Sequence, residues 1–97
     1  MERLKLSQIN SIYEKFVIAI DLQSPQEANN YAFNIYKTFV IEFKLPFEIL
    51  CYYSFDQDCF IIKNIKTKLE WKLTHFIYEY LNPKGVFLLE KLALDRI

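Results

Sequence analysis

Glycine is almost missing from this chain. Of 97 residues only Gly85 is glycine. The phosphate-cradling loops of P-loop and dinucleotide-binding proteins need several glycines, because backbone N–H groups must approach the phosphates closely. Those routes to nucleotide binding are therefore excluded, and so is a Gly-x-Ser-x-Gly nucleophile elbow. Soft metal ligands are also scarce: Cys51, Cys59 and His75 are the whole supply. A closed zinc site takes about four N or S ligands, so no metal and no other cofactor is expected. Net charge is absent, since 12 basic residues cancel 12 acidic ones. The basic excess that marks most nucleic-acid binders is thus missing. No apolar run approaches the roughly 18 residues of a membrane span. The opening Met1-Glu2-Arg3-Leu4-Lys5-Leu6 has no apolar signal core, so a reducing, cytoplasmic location is expected, with no membrane partner.

Apolar and aromatic residues are plentiful. They make up 53% and 18% of the chain, enough to fill one core, and residues 1–97 read as a single domain. So many rings in so short a chain leave apolar surface for association. Near-zero net charge favours self-association too, and a homodimer or complex subunit is expected. Arg occurs only at Arg3 and Arg96, while Phe, Tyr, Ile, Asn and Lys dominate. These five have AT-rich codons, which fits an AT-rich bacterium, an organelle, or a phage or virus.

Two strings punctuate the chain. Ser24-Pro25-Gln26-Glu27 and Thr67-Lys68-Leu69-Glu70 both place a hydroxyl three residues before Glu, the pattern of a helix capping box. Pro25 suits a first helical position, where its missing N–H costs nothing. A helix is predicted over 25–43, with Ala28, Ala32, Ile35, Phe39 and Phe43 on one face and Tyr36 at its edge. Leu45-Pro46 ends it. A second helix is predicted over 68–81, with Leu69, Leu73, Phe76, Ile77 and Tyr80 inward, and Asn82-Pro83-Lys84-Gly85 as a breaker.

Residues 47–64 read as a β-hairpin turning at Asp56-Gln57. Pairing Phe55 with Asp58 sets Tyr53 opposite Phe60 and Cys51 opposite Ile62. Phe47, Ile49, Cys51, Tyr53, Phe60 and Ile62 then share the core face. Glu48, Leu50, Tyr52, Ser54, Cys59, Ile61 and Lys63 share the other, which is mixed but, through Leu50, Tyr52 and Ile61, more apolar than a plain solvent face.

The two ends are ambiguous. In 7–22, Ile9, Ile12, Tyr13, Phe16, Val17 and Ile20 have helical spacing, with Ser7 as a cap, yet Phe16-Val17-Ile18-Ala19-Ile20 also suits a buried strand. Residues 86–94 satisfy either a strand or a short helix. Strands at both ends give β-α-β-β-α-β, the ferredoxin-like order and the preferred α+β reading. Helices at both ends give the alternative: an αα-hairpin, a β-hairpin and two further helices.

Candidate chemistry is thin. Asp56, Asp58 and Asp21 could pair for metal or acid–base work, but turns select Asp for its local backbone bonds. His75 has no recognisable nucleophile or orienting group. Cys51 and Cys59 fall on opposite hairpin faces, too far apart for a disulfide, Cys51 in the core and Cys59 half-exposed. No catalytic residue is assigned.

Two surfaces remain. On the helix 68–81, Trp71, His75 and Tyr78 share the outer face and resemble an interface anchor, unless a segment such as 1–14 covers them. On the sheet, Leu50, Tyr52 and Ile61 form a mixed face. The expectation is a non-enzymatic protein–protein interaction domain, acting as a homo-oligomer or as an accessory or inhibitory subunit of a larger assembly, of phage or mobile-element origin. The alternative is an RNA- or DNA-binding module on the outer sheet face, with Tyr52 stacking a base and Lys63 beside it.

Overall fold

The computed structural model describes residues 3–19 and 24–96. The element order is α1 (Leu6–Ala19), α2 (Pro25–Ile41), β1 (Ile49–Ser54), β2 (Cys59–Asn64), β3 (Glu70–Lys72), α3 (Leu73–Phe76), a π-helical stretch (Ile77–Leu81) and α4 (Lys84–Arg96). The class is α+β. The described residues hold one three-stranded antiparallel sheet, ordered β1-β2-β3. That replaces the four-stranded ferredoxin-like sheet. Both ambiguous ends are helical among the described residues, so the order is that of the alternative reading with a short third strand added. Two compact units result: a central one, residues 24–73, and a terminal one, residues 3–19 with 74–96.

The central unit is α2 on the hairpin sheet. Ser24 caps α2, its hydroxyl accepting from the Glu27 N–H at 3.4 Å, with Pro25 in the first turn. Ala28, Ala32, Ile35 and Phe39 are buried along one stripe and Phe43 is half-buried. The small Ala residues let α2 lie close to β1. Opposite them, Ile49, Tyr53, Phe60 and Ile62 are buried. The hairpin register is the predicted one, Tyr53 opposite Phe60 and Cys51 opposite Ile62. Its loop is longer than two residues. Asp58 there takes φ 56°, a conformation Asp tolerates better than most residues, and accepts a hydrogen bond from the Tyr53 hydroxyl.

The second capping string does not open a helix. Glu70–Lys72 is strand, and the helix starts at Leu73. The cause is Asn64. Its buried side-chain Oδ1 accepts from Lys66 N at 3.0 Å and Thr67 N at 3.1 Å. Its backbone N–H donates to Leu69 O at 2.8 Å, and its carbonyl accepts from Lys68 N at 2.8 Å. Those bonds fold residues 65–69 into a tight turn with Lys68 at φ 66°. The chain then enters the ladder beside β2. Thr67 accepts only from Leu69 N, at 3.4 Å. Leu69, predicted inward, is 59% exposed, and Tyr80 is exposed as well.

The terminal unit packs α1, the π-helical stretch and α4 together. Helical spacing decides α1: Ile9 and Phe16 are fully buried, and Ile12, Tyr13 and Val17 are half-buried. Its start is Lys5 rather than Ser7. Gln8 reaches back to the Lys5 N–H at 2.8 Å, one half of a capping box. In α4, Val86, Leu88 and Leu89 are buried. Gly85 lies against Ile77 and Leu81, and a Cβ there would come within 2.9 Å of each. A side chain is excluded by contact, not by φ.

Candidate functional site

The helix-borne cluster of Trp71, His75 and Tyr78 does not form as expected. Trp71 is in β3, paired with Ile62, and half-buried on the sheet face that carries Tyr53 and Phe60. His75 and Tyr78 belong to the terminal unit. His75 is exposed. Tyr78 is already covered: the Arg3 guanidinium stands 4.6 Å from its ring centroid and donates to its carbonyl. Leu4 continues the strap. It exchanges hydrogen bonds with the Asn82 side chain at 3.3 and 2.7 Å. The N-terminal segment thus takes the Tyr78 face.

The sheet-borne set divides. Leu50 is 50% exposed and Tyr52 is half-buried. Ile61 is 2% exposed. It is in the central strand, opposite Tyr52 of β1 and Lys72 of β3. Ile61 is therefore a core residue, not a contact surface. Burial, then the charge and hydrogen bond of the Glu70 carboxylate, raise the Tyr52 pKa. Lys63, the proposed basic contact, is 3.9 Å from Glu70 and so is paired.

Acid–base and thiol chemistry gain nothing from the fold. Asp21 lies outside the described residues. Asp58 is the acceptor for Tyr53, and no cluster of three potential ligands occurs among the described residues. Burial pushes the Cys51 thiol up to about 12. Burial also raises Cys59, with Asp58 adding to the rise and Lys72 opposing it. Both are free thiols, and Cys59 is buried rather than half-exposed. A thiol held protonated is a poor nucleophile.

What the fold does assemble is a groove. Asn29, Phe33 and Tyr36 of α2 form one wall, and Ile49, Leu50 and Cys51 of β1 the other, with Ile65 at one end. Its volume is about 480 Å³. It runs into a second open depression of about 510 Å³ bounded by Val40, Leu45, Pro46 and Phe47. Every residue of the first groove is uncharged. Phe33 is 58% exposed, and Val40 and Ile65 are exposed beside it. Lys37 lies at the rim, its ammonium 5.0 Å from the Phe33 ring centroid. The sequence carries a trace of this wall. Phe33, Tyr36 and Val40 are spaced i, i+3, i+7, a second apolar stripe beside the core stripe of α2.

The groove runs along an open sheet edge. Ile65 N donates to Glu48 O at 3.1 Å, which fixes the alternation of the ladder. Leu50, Tyr52 and Ser54 are bonded to β2, so the N–H and C=O groups of Ile49, Cys51 and Tyr53 point the other way. Among the described residues, β1 pairs with β2 alone. Native edges are ordinarily guarded by Lys, Pro or a bulge. Ile-Leu-Cys-Tyr-Tyr-Ser has none of these.

No helix among the described residues is long and apolar enough to cross a membrane. Comparison with protein-family models, with curated proteins and with solved structures finds no match to this chain.

Proposed function

We propose that this chain is a non-enzymatic protein–protein interaction domain, working as a homo-oligomer or as an accessory subunit of a larger assembly. Its docking surface is the α2–β1 groove, with Phe33 and Leu50 as contacts, and Tyr52 lies beside it on the same edge strand. One observation carries the reading: exposed apolar side chains converge on an uncharged groove beside an unguarded strand edge. Scattered apolar residues on a surface are ordinary, whereas a continuous strip beside open backbone is the usual form of a contact site. Zero net charge and the pairing of Lys63 with Glu70 weigh against a nucleic-acid surface.

The test compares the wild-type chain with Phe33→Asp and Leu50→Lys. Light scattering reads self-assembly, and affinity capture from a native lysate reads a partner. Assembly or capture that both substitutions abolish, with the far-ultraviolet circular dichroism unchanged, is the expected result. A wild-type chain that neither assembles nor captures anything would end the reading.

A further inference from the structure

The groove and the strand edge open in the same direction, so one occupant can satisfy both. Resting on the interaction reading above, we propose that this occupant is a second copy of the chain. The two copies pair β1 edge to β1 edge, antiparallel about a two-fold axis at Cys51, and join two three-stranded sheets into one six-stranded sheet.

Four arguments select a second copy. Backbone complementarity comes first. The outward-pointing groups belong to Ile49, Cys51 and Tyr53. An axis at Cys51 sets Ile49 against the other copy's Tyr53 and Cys51 against its own counterpart, so every outward N–H and C=O within that span finds an acceptor or donor. Neighbouring registers do less well. An axis at Tyr52 would oppose Glu48 to Asp56, two like charges, and an axis at Leu50 would shorten the overlap of the strands.

Charge is the second argument. The groove lining is uncharged, so the incoming strand must be uncharged as well. Ile49–Ser54 of another copy meets that requirement, and in the Cys51 register Glu48 faces only Ser54. The third argument is coverage. A two-fold axis normal to the sheet leaves both α2 helices on the same side and turns their Phe33 walls toward the seam. On the other side it sets Leu50 against the partner's Tyr52, a directly opposed aliphatic–aromatic pair. One operation therefore covers the two most exposed apolar residues of the groove, Phe33 and Leu50. Closure is the fourth. The contact is isologous and uses up the edge it starts from, so it stops at a dimer instead of growing into a fibre.

The test is light scattering with sedimentation velocity on the full chain, from low micromolar to near-millimolar concentration. Wild type is compared with Cys51→Pro, Leu50→Lys and the control Leu94→Lys, an exposed position in the terminal unit. Pro at 51 deletes an N–H that β2 does not use, which strand edges tolerate. Leu50→Lys leaves the backbone untouched. The expected wild-type species has twice the 11.7 kDa chain mass. Cys51→Pro and Leu50→Lys weaken dimerisation roughly tenfold or more, and Leu94→Lys does not.

A Cys59→Ser chain treated with copper–phenanthroline reads the register. Hydrogen-bonded partners have Cα atoms about 5.5 Å apart, within disulfide reach, so Cys51 cross-links to its counterpart. A dimer that survives both β1 substitutions overturns the proposal. A strictly monomeric wild type that captures another protein through Phe33 and Leu50 overturns the second copy but leaves the interaction reading standing. A monomer with no partner overturns both.

Discussion

Replacing Gly85 by Ala should destabilise the protein, although helix propensity alone says the reverse. Gly85 is the second residue of α4, and Ala gains up to ~1 kcal/mol over Gly in a helix interior, less in a first turn. Against that stands the added methyl. It would meet Ile77 Cγ1 at 2.9 Å, Leu81 Cβ at 2.9 Å and Ile77 Cγ2 at 3.0 Å. Ordinary carbon contacts lie near 3.5–4.0 Å. None of these atoms is the far end of a flexible side chain, and Ile77 is fully buried, so none can swing aside. Overpacking of this kind costs about 1–3 kcal/mol. The net loss is about 1 kcal/mol, read by urea unfolding, with a fall in Tm of roughly 4–8 °C for a chain of this size. A double-mutant cycle isolates the cause. In an Ile77→Ala background two of the three clashes vanish, so Gly85→Ala should lose most of its cost. A Gly85→Ala chain more stable than wild type, or a cost unchanged by Ile77→Ala, would refute the reasoning.

The remaining predictions concern the turn, the edge strand and pH. Asn64→Ala strands the Lys66 and Thr67 N–H groups and should cost roughly 1–3 kcal/mol in urea unfolding, whereas Asn64→Asp keeps the acceptor and loses less. Lys68 holds φ 66°, so Lys68→Gly should gain about 1 kcal/mol despite its looser unfolded chain. Stability should fall in alkali. The Cys51 thiol is raised from its ordinary 9 to about 12, so the unfolded chain loses that proton first. The contribution is fully present below about pH 9 and is lost as pH climbs toward 12. Tyr52 and Tyr53, both raised chiefly by burial, add to the decline in the same direction. Cys51→Ala should flatten the pH profile by up to one proton, measured as urea midpoints between pH 8 and pH 11.

The hairpin and α2 were legible because their signals are local. The Ser24 cap, Pro25 and the Ala28/Ala32/Ile35/Phe39 stripe all lie within one element, and the hairpin register comes from alternation once its turn is placed. The failures are tertiary. Thr67-Lys68-Leu69-Glu70 has the residues of a capping box, but Asn64 draws the same backbone into a turn, and β2 then pairs with Glu70–Lys72 as a strand. Trp71 changed element with it, and the aromatic helix face built on that residue dissolved. Alternation alone puts Ile61 on the outer face, and alternation says nothing of whether that face is covered; Ile61 is buried. The ends were ambiguous because β-branched residues at helical spacing serve both periodicities, and α1 settles by packing with α4 and the π-helical stretch. As for the groove, alternation marks Leu50 as an outward position of the hairpin, and it lines the strand wall with Ile49 and Cys51. The helix wall is not legible in the sequence, because Phe33 lies outside the core stripe and only the neighbouring strand gives it meaning.

Amide hydrogen exchange at Ile49, Cys51 and Tyr53 reads the β1 edge most directly. In a monomer these three N–H groups point away from β2, while those of Leu50 and Tyr52 are held in the ladder. Edge-to-edge pairing predicts that all three become protected and that their protection rises with protein concentration. It also predicts that Leu50→Lys removes that protection while the amides of positions 50 and 52 stay slow. Fast exchange at Ile49, Cys51 and Tyr53 at every concentration would contradict the dimer.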